Sequence, residues 1–559
     1  MNRIIISISI LIICSACESF LDTQDYTKKN TGNFPRSEED AGQMLAGIYS
    51  TLNTNAFDPF IGAELASDDR LGGAGLGQLY WRAMDRLMNY GEVLFHAFWT
   101  TKYNGIYRAN LALETLDNVT DWSSEENKNQ LLGEVYYLRA FFYFELAQWF
   151  GEVPLVKSSV PVNLPKAPAT ELYAFIASDL QQAIRLMSNK PYTAFLSGHA
   201  TRWAAEALMA RVFLFYTGYY HTAALPLDEG GQIEKSQVVA WLEDCMNNSG
   251  HGLVDDFHNL WYYTNEFTAK DYAWVSDNGW NWAGDLNEEF LFVVKHTNYG
   301  EWDVIPGPGY SFSNVTHFGL RMPNGYESTF PYGEGDGCGP VSPLMVQEWV
   351  AAEPNDIRRK ASILNVAEEL DGYIVPLDQM EETGYWQRKF IPVNAYDEDG
   401  EVVNASWFTG APRNDMWLDK TQDKPVIRFA DVLLMHSELT ESPTGIDRVR
   451  TRVGLTPLGA YSLDALKRER RWELAFEGAR WFDLMRWGDA PEMLEKQAGL
   501  PVKNGGEATT LTEYGGGYRA RYEQTGGFWP IPFDEVALSG GVLLQNKGWG
   551  SADSEYTGL

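Results

Sequence analysis

Apolar residues recur at every third and fourth position between about residues 40 and 220, and this spacing predicts helices. The clearest segment is GEVYYLRAFFYFELAQWFGEVP at 133–154, which is apolar nearly all round a helix and is expected to be buried, ending at Gly151 and Pro154. Segments 171–187 and 201–218 follow as a helix pair with a repeat of roughly 30 residues, as in tetratricopeptide-like arrays. The pattern therefore predicts stacked helical hairpins.

From about 250 to 420 the chain is rich in Gly, Pro, Asn and aromatic residues, and few windows have helical spacing. EEFLFVVKH at 288–296 is predicted as a strand. Helices are predicted to return at 425–439 and at 463–488. Because long loops in a compact chain are usually functional, the expected fold class is mainly α: a tetratricopeptide-repeat-like helical scaffold with a large irregular loop-rich insert containing a few short strands.

The N-terminus has the pattern of an export signal. Arg3 precedes an apolar run from Ile4 to Ile13, which is too short to span a bilayer. Cys17 follows two small residues, so we predict a lipoprotein signal peptide at 1–16 and lipid attachment at Cys17. A plain secretory signal with an incidental cysteine is the alternative.

The amino-acid composition limits the classes of ligand and partner that the protein can bind. The formal charge is −32 and no run of Lys and Arg compensates for it, which argues against nucleic acid and favours neutral ligands. No cofactor or metal is expected, because the histidines are scattered. The acidic loop at 333–339 could hold calcium, but its two carboxylates are few for a site that needs six to eight ligands, and whether calcium is bound is left open. Whether Cys245 and Cys338 form a disulfide is left open.

Two carboxylates suggest an enzyme. Glu473 and Glu477 are four residues apart, close to the spacing that a retaining glycoside hydrolase requires. Arg470 and Arg480 continue the same predicted helix stripe, and neighbouring guanidinium groups favour ionised carboxylates, whereas a general acid needs a raised pKa. We interpret the four residues as a structural ion-pair ladder, and we expect no catalytic residue.

Aromatic residues are the better candidates for binding, because flat rings complement the C–H face of a sugar while amides and carboxylates bind its hydroxyls. Trp280, Trp282 and Trp302 are flanked by Asn, Asp and Gly, and Tyr310 lies in the next long loop. Trp280 and Trp282 would point the same way in an extended segment. We predict ligand contact at these four residues, whereas tryptophans in helical windows, such as Trp203, Trp241 and Trp349, are assigned to the core.

A second candidate patch lies in SDDRLGGAGLGQLYWRAMDR, residues 67–86, where a glycine-rich loop joins two helical regions. The predicted contacts are Asp69, Arg70, Tyr80, Trp81 and Arg82. A solvated loop with a core anchor is the structural alternative.

Motifs in this order resemble the SusD/RagB family of surface nutrient-binding lipoproteins. The matching segments are CESFLD (17–22), YNGIYRANLALE (103–114), GEVYYLRAFFYFELAQWFGEVPLV (133–156), VIRFADVLLMHSE (426–438), RERRWELAFEGARWFDLMRWG (468–488) and FWPIPFDEV (528–536). The resemblance covers essentially the whole mature chain. It implies one domain at 17–559, with N-terminal helical repeats at about 40–230, a loop-rich ligand-binding part at 250–420 and a C-terminal helical region at 425–559.

The resemblance implies a non-catalytic protein, anchored by lipid on the surface of the outer membrane, that passes oligosaccharides to a SusC-like TonB-dependent transporter. An oligopeptide receptor of the same architecture is one alternative, a glycoside hydrolase is another, and a purely structural lid for the transporter is a third. Binding of peptides would favour the first alternative, turnover of the glycan would favour the second, and binding of no soluble ligand would favour the third.

Overall fold

The structure, a computed structural model, describes residues 34–53, 59–90, 93–297, 311–312, 314–322, 329–409, 415, 417–418 and 420–550. Helices dominate these ranges, and the fold is mainly α, as predicted. The N-terminal helices are α1 (Glu38–Tyr49), α2 (Pro59–Ala66), α3 (Leu79–Asp85), α4 (Val93–Thr115), α5 (Glu125–Phe150), α6 (Ala169–Leu186), α7 (Arg202–Tyr219) and α8 (Lys235–Asn248).

The later helices are shorter. The loop-rich part has α9 (Glu266–Ala269), α10 (Ala273–Ser276), α11 (Asn314–His317), α12 (Pro343–Ala352), α13 (Ile357–Ser362) and α14 (Val366–Glu369). The C-terminal region has α15 (Phe429–Thr440), α16 (Thr444–Arg452), α17 (Leu463–Glu473), α18 (Arg480–Trp487), α19 (Ala490–Glu495), α20 (Tyr518–Thr525) and α21 (Phe533–Leu538). In the described ranges, none of the helices has the length and hydropathy needed to cross a membrane.

Helix α5 is the centre of the helical scaffold. It begins where the Ser124 hydroxyl accepts a hydrogen bond from the backbone N–H of Asn127 at 3.0 Å. It ends at Gly151, whose φ of +69° suits glycine and stops the helix where predicted. Its side chains are buried on nearly every face because α4 and α6 pack on it, and α6 and α7 continue the array.

A buried polar cluster joins three of these helices. Arg139 on α5 donates two hydrogen bonds of 2.7 Å to the carboxylate of Asp179 on α6. Its third nitrogen donates to the side-chain carbonyl of Asn110 on α4, also at 2.7 Å. Because the bidentate geometry accepts only one arrangement of the helices, the cluster fixes how α4, α5 and α6 pack.

A strand inside the loop-rich part pairs with a strand just after its end. The predicted strand is present as β3 (Phe290–Val294), which pairs antiparallel with β8 (Lys424–Arg428), so that Phe290 faces Arg428 and Val294 faces Lys424. The prediction of a helix from residue 425 was wrong at its start: residues up to Arg428 are a strand, and α15 begins at Phe429. Pairing with a distant strand overrode the local pattern, which periodicity alone does not reveal.

The remaining described strands form short antiparallel pairs. They are β1 (Leu225–Pro226) with β2 (Gln232–Ile233), β4 (Ile363–Asn365) with β5 (Tyr385–Gln387), β6 (Asn394–Tyr396) with β7 (Val402–Asn404), and β9 (Pro501–Asn504) with β10 (Glu507–Thr510).

The segment predicted as continuous helix at 463–488 is broken. Helix α17 ends at Glu473, and α18 begins at Arg480. The turn between them contains Phe476 and Gly478 at φ values of +65° and +77°. Glu477 therefore lies in a turn, and the predicted single helix stripe through Glu473 and Glu477 is corrected.

Candidate functional site

The glycine-rich loop at 67–78 packs tightly between distant loops. Isolated antiparallel bridges join Arg70 to Val341, Gly73 to Cys338 and Gly75 to Gln379. A Cβ atom on Gly72 would lie 2.4 Å from the Cα of Arg82, so only glycine permits this approach to α3. The loop is therefore part of the packed structure rather than a solvated connection.

Four of the five residues predicted in the second patch are buried, namely Asp69, Arg70, Trp81 and Arg82, and their contact with ligand stays a prediction. Arg82 donates hydrogen bonds of 2.8–3.0 Å to the carbonyls of Gly73, Gly75 and Leu76. An irregular loop leaves such carbonyls without backbone partners, and a buried carbonyl needs one. Arg82 thus holds the loop in shape.

The other buried members of the set have structural contacts too. The Arg70 guanidinium pairs with Glu64 at 2.8 Å and lies over the Phe318 ring at 3.9 Å from its centre. Asp69 accepts a hydrogen bond of 2.7 Å from Arg471. Their charges are balanced inside the protein, and a ligand in solvent does not reach them in this structure.

Tyr80 is the member of this set that reaches the surface. Its half-buried ring lies 4.6 Å from the buried Trp81 ring and 6.1 Å from the half-buried Tyr90 ring, measured between centres. Burial and the negative charge of Asp336 raise the pKa of Tyr80 to about 12. The hydroxyl is therefore protonated at neutral pH and can both donate and accept hydrogen bonds.

Residues far apart in sequence pack around Trp81, the neighbour of Tyr80. His317 lies edge-on to Trp81 at 4.9 Å and to Trp417 at 5.1 Å between ring centres. Its Nδ1 is 2.8 Å from a carboxylate oxygen of Asp336. These contacts bring a third half-buried ring, Trp417, to the same part of the molecule.

Polar groups border these rings. Arg321 donates to the side-chain carbonyl of Gln78 at 3.1 Å, to the backbone carbonyl of Asp336 at 3.1 Å and to the carboxylate of Asp378. We call this cluster the Tyr80 surface and define it by its members: Gln78, Tyr80, Tyr90, His317, Arg321, Asp336 and Trp417. All of them except His317 are half-buried, which leaves rings and polar side chains in partial contact with solvent.

Sequence reasoning found one of these seven residues. Trp417 lies between Asp415 and Asp419, a setting like the one that singled out Trp280 and Trp282, so the same criterion could have found it. His317 and Asp336 are 19 positions apart and have no motif, and only the folded chain places them together.

Trp280 and Trp282 are half-buried, with part of each indole covered by protein. The Trp280 ring stacks on His258, with 3.7 Å between centres and an angle of 11°, and meets Trp274 edge-on at 4.9 Å. Trp282 packs edge-on to Tyr262 at 5.0 Å. The two indoles thus rest on different neighbours. Their contact with ligand stays a prediction, and three further predicted residues, Trp302, Tyr310 and Cys17, lie outside the described residues.

The Glu473 carboxylate lies in a buried network of arginines. It contacts Arg358 at 3.0 Å, Arg428 at 3.1 Å, and Arg452. Burial alone would raise the pKa of Glu473, but these guanidinium groups hold it well below its usual range. Glu477 bridges Arg428 and Lys389. The carboxylates are therefore ion-paired, as interpreted, although with other partners than Arg470 and Arg480.

Those two arginines pair elsewhere. Arg470 contacts Asp431 and Asp483 at 2.7 and 2.9 Å, and Arg480 contacts Asp68 at 2.7 Å. Cys245 and Cys338 are both free and buried, which answers the open question of a disulfide. Across the described part of the chain, no group of His, Cys, Asp and Glu side chains is arranged to hold a metal ion.

Comparison with known proteins identifies the family. A family model described as "SusD family" matches residues 263–549, about half of the 559 residues. The chain belongs to the SusD family. A second model, described as "Starch-binding associating with outer membrane", matches residues 19–214. SusD-like protein P25 of Formosa agariphila is 23% identical, with 90% of this chain and 93% of the relative covered.

Other similar proteins include a SusD-like protein of Bacteroides ovatus, 25% identical over 70% of this chain and 65% of the relative. Among solved structures, a laminarin-binding SusD-like protein superimposes with a TM-score of 0.71 at 24% identity, covering 92% of this chain and all of that one. Surface glycan-binding protein A of Bacteroides thetaiotaomicron, in complex with laminarihexaose, gives 0.68 at 19% identity, covering 92% and 100%. These structures establish the SusD-like fold of this chain.

Proposed function

We propose that this protein is a cell-surface receptor that captures oligosaccharides without cleaving them and delivers them to a TonB-dependent outer-membrane transporter. The observation that supports it best is the Tyr80 surface, where the half-buried rings of Tyr80, Tyr90 and Trp417 border His317, Asp336 and Arg321.

The chemistry of this surface suits a neutral sugar. Aromatic rings cover the apolar C–H face of a pyranose, and the Tyr80 hydroxyl, the Asp336 carboxylate and the Gln78 amide bind hydroxyl groups. Arg321 and His317 are already paired with acidic or carbonyl oxygens, so little positive charge is left for an anionic ligand. Trp280 and Trp282 are proposed as further stacking positions for the same ligand.

We expect no turnover. A general acid needs a carboxyl group with a raised pKa in contact with substrate, whereas Glu473 is buried, its pKa is lowered and it is surrounded by three arginines. The SusD-like and glycan-binding names of the relatives agree with binding rather than catalysis.

Cys17 is proposed as the acylated first residue of the mature protein, which would hold the receptor on the outer membrane. Metabolic labelling with a palmitate analogue should mark the wild-type protein and leave Cys17→Ser unlabelled. Co-purification of a transporter with the acylated protein would support delivery, and purification without one in mild detergent would count against it.

The binding test is calorimetric titration with laminarihexaose, maltohexaose and a mixture of short peptides. Wild-type protein is expected to bind an oligosaccharide and to release no reducing sugar during a long incubation. Tyr80→Ala and Trp417→Ala should each weaken binding by about tenfold, or about 1.4 kcal/mol. Trp241→Ala, which removes a half-buried tryptophan of α8, is the matched control and should bind as wild type.

Each of the remaining outcomes would favour a different function. Peptide binding without oligosaccharide binding would favour the oligopeptide receptor. Release of reducing sugar that is lost in Glu473→Gln would favour the glycoside hydrolase. No binding to any soluble ligand would favour a structural lid.

A further inference from the structure

A cavity of about 300 Å³ lies between the loop at 192–201 and strand β3, with residues 285–287 along one side. It shares no lining residue with the Tyr80 surface. Its volume is at the lower end of the range of about 300–1,000 Å³ in which proteins bind small ligands. Its lining is partly apolar, through Phe195, Leu196, Leu286 and Phe290, and partly polar.

His251 supplies a buried acceptor in this lining. Its ring stacks on Tyr192, with 4.1 Å between centres and an angle of 17°, and only 8% of the residue is exposed. The Nδ1 atom is 2.9 Å from the backbone carbonyl oxygen of Glu288. Because a carbonyl only accepts, Nδ1 carries the proton and Nε2 presents a lone pair. Burial lowers the pKa of His251 to about 4, which keeps the ring neutral.

Two polar atoms of the lining residues lack a protein partner. Among the described residues, neither the Nε2 atom of His251 nor the hydroxyl of Ser197 has a hydrogen-bond partner, and both atoms are buried. A buried polar atom that stays unpaired costs about 1–3 kcal/mol. A ligand that donates a hydrogen bond to Nε2 and exchanges one with Ser197 would satisfy both.

Two leucines of the lining are left in solvent. Leu196 is 77% exposed and Leu286 is 67% exposed. Single exposed leucines are ordinary, but a pair at one cavity provides apolar area for a ligand to cover. Asp285, an acidic residue of the lining, accepts a hydrogen bond of 3.2 Å from the backbone N–H of Asp423, whose carboxylate pairs with Lys295.

We propose that this cavity is a second binding site, for a small neutral molecule that carries hydroxyl groups and an apolar face, with the size of a mono- or disaccharide. His251 and Ser197 bind its hydroxyl groups, and Leu196 and Leu286 cover its apolar face. The site does not depend on the Tyr80 surface and can exist whether or not that surface binds glycan.

The experiment uses the full-length protein carrying Tyr80→Ala and Trp417→Ala, so that the Tyr80 surface does not contribute. Laminaribiose and glucose are the probes, and binding is measured by saturation-transfer NMR and by calorimetry. The double variant is expected to bind at least one probe. Adding His251→Phe, which keeps a flat ring on Tyr192 but removes Nε2, should weaken that binding by about tenfold or more.

Substitutions of exposed leucines test whether a loss of probe binding is caused by unfolding. Leu286→Ala should weaken the probe about twofold to fivefold by removing apolar contact, whereas Leu538→Ala, at another exposed leucine, should leave it unchanged. The proposal is overturned if neither probe binds the double variant, or if His251→Phe and Leu286→Ala bind like their parent. If wild type binds laminarihexaose but the double variant binds neither probe, this site alone is refuted and the proposed function is not.

Discussion

The helical scaffold of α4 to α7 and the loop-rich part at 250–420 are held together by different forces. Inside the scaffold the buried residues are mainly apolar, as along α5, with few charged groups such as the Arg139–Asp179 pair. Where the loop-rich part meets the C-terminal helices, an apolar cluster around Trp349 and Trp472 is joined by a network of buried arginines and glutamates, among them Arg358, Arg428 and Glu473.

The backbone explains this difference. A helix satisfies its own N–H and C=O groups, so its side chains need only fill space. An irregular loop leaves carbonyls that side chains must bind, as Arg321 does for Asp336 in the loop-rich part and Arg82 does for the loop at 67–78. Charged residues in the loop-rich part are therefore often structural, and a charged loop residue is weak evidence for a ligand contact.

The largest expected effect on stability comes from a substitution in the buried network of arginines and glutamates. Glu473→Ala would leave Arg358, Arg428 and Arg452 without their shared carboxylate and should lower the free energy of unfolding by about 3–5 kcal/mol. Urea unfolding measures it. Glu495→Ala, at an exposed pair with Arg519, is the control and should not change the midpoint. Equal midpoints for both variants would contradict a structural role for the network.

The second change tests the apolar region. Leu138→Ala in α5 removes a fully buried side chain and should cost about 2–5 kcal/mol, because the helices on all sides cannot close the cavity. The same change at exposed Leu538 should stay within about 0.5 kcal/mol. A loss below that limit at Leu138 would mean that α5 is not the centre of the scaffold.

A fall in pH should lower the free energy of unfolding through His251, which lies in the loop-rich part. Its folded pKa of about 4 lies below the unfolded value of 6.5, so its contribution is complete above pH 6.5 and is lost as the pH falls towards 4. The expected loss is about 1.4 kcal/mol per pH unit in that window. His251→Phe should remove this slope, whereas Leu138→Ala should keep it. Parallel stability curves for wild type and His251→Phe from pH 7 to 5 would disprove the assignment.

The smallest effect concerns ligand rather than stability. Trp280→Ala should weaken oligosaccharide binding about twofold to fivefold, or about 0.5–1 kcal/mol, which is less than Tyr80→Ala, since His258 already covers one face of the indole. Titration of both variants with the same oligosaccharide compares them. A larger loss at Trp280 than at Tyr80 would move the principal site to the His258–Trp274–Trp280 cluster.

Much of the scaffold could be predicted from sequence because its cause is local. The apolar spacing at 133–154, 171–187 and 201–218 gave three helices whose bounds differ from the observed ones mainly at their starts. Prediction failed where distant contacts decide. Pro425 to Arg428 form a strand because β3 lies beside them. The helix ends at Glu473, and Glu477 in the turn that follows pairs with Arg428.

The sequence by itself determined the helices, the core of α5 and the family motifs, because side-chain periodicity and short segments carry that information. Only the tertiary structure decided which candidate side chains meet solvent. Asp69, Arg70, Trp81 and Arg82 are buried inside the protein, while their neighbour Tyr80 reaches the surface. Exposure depends on which remote loops cover a residue, and no local pattern encodes those loops.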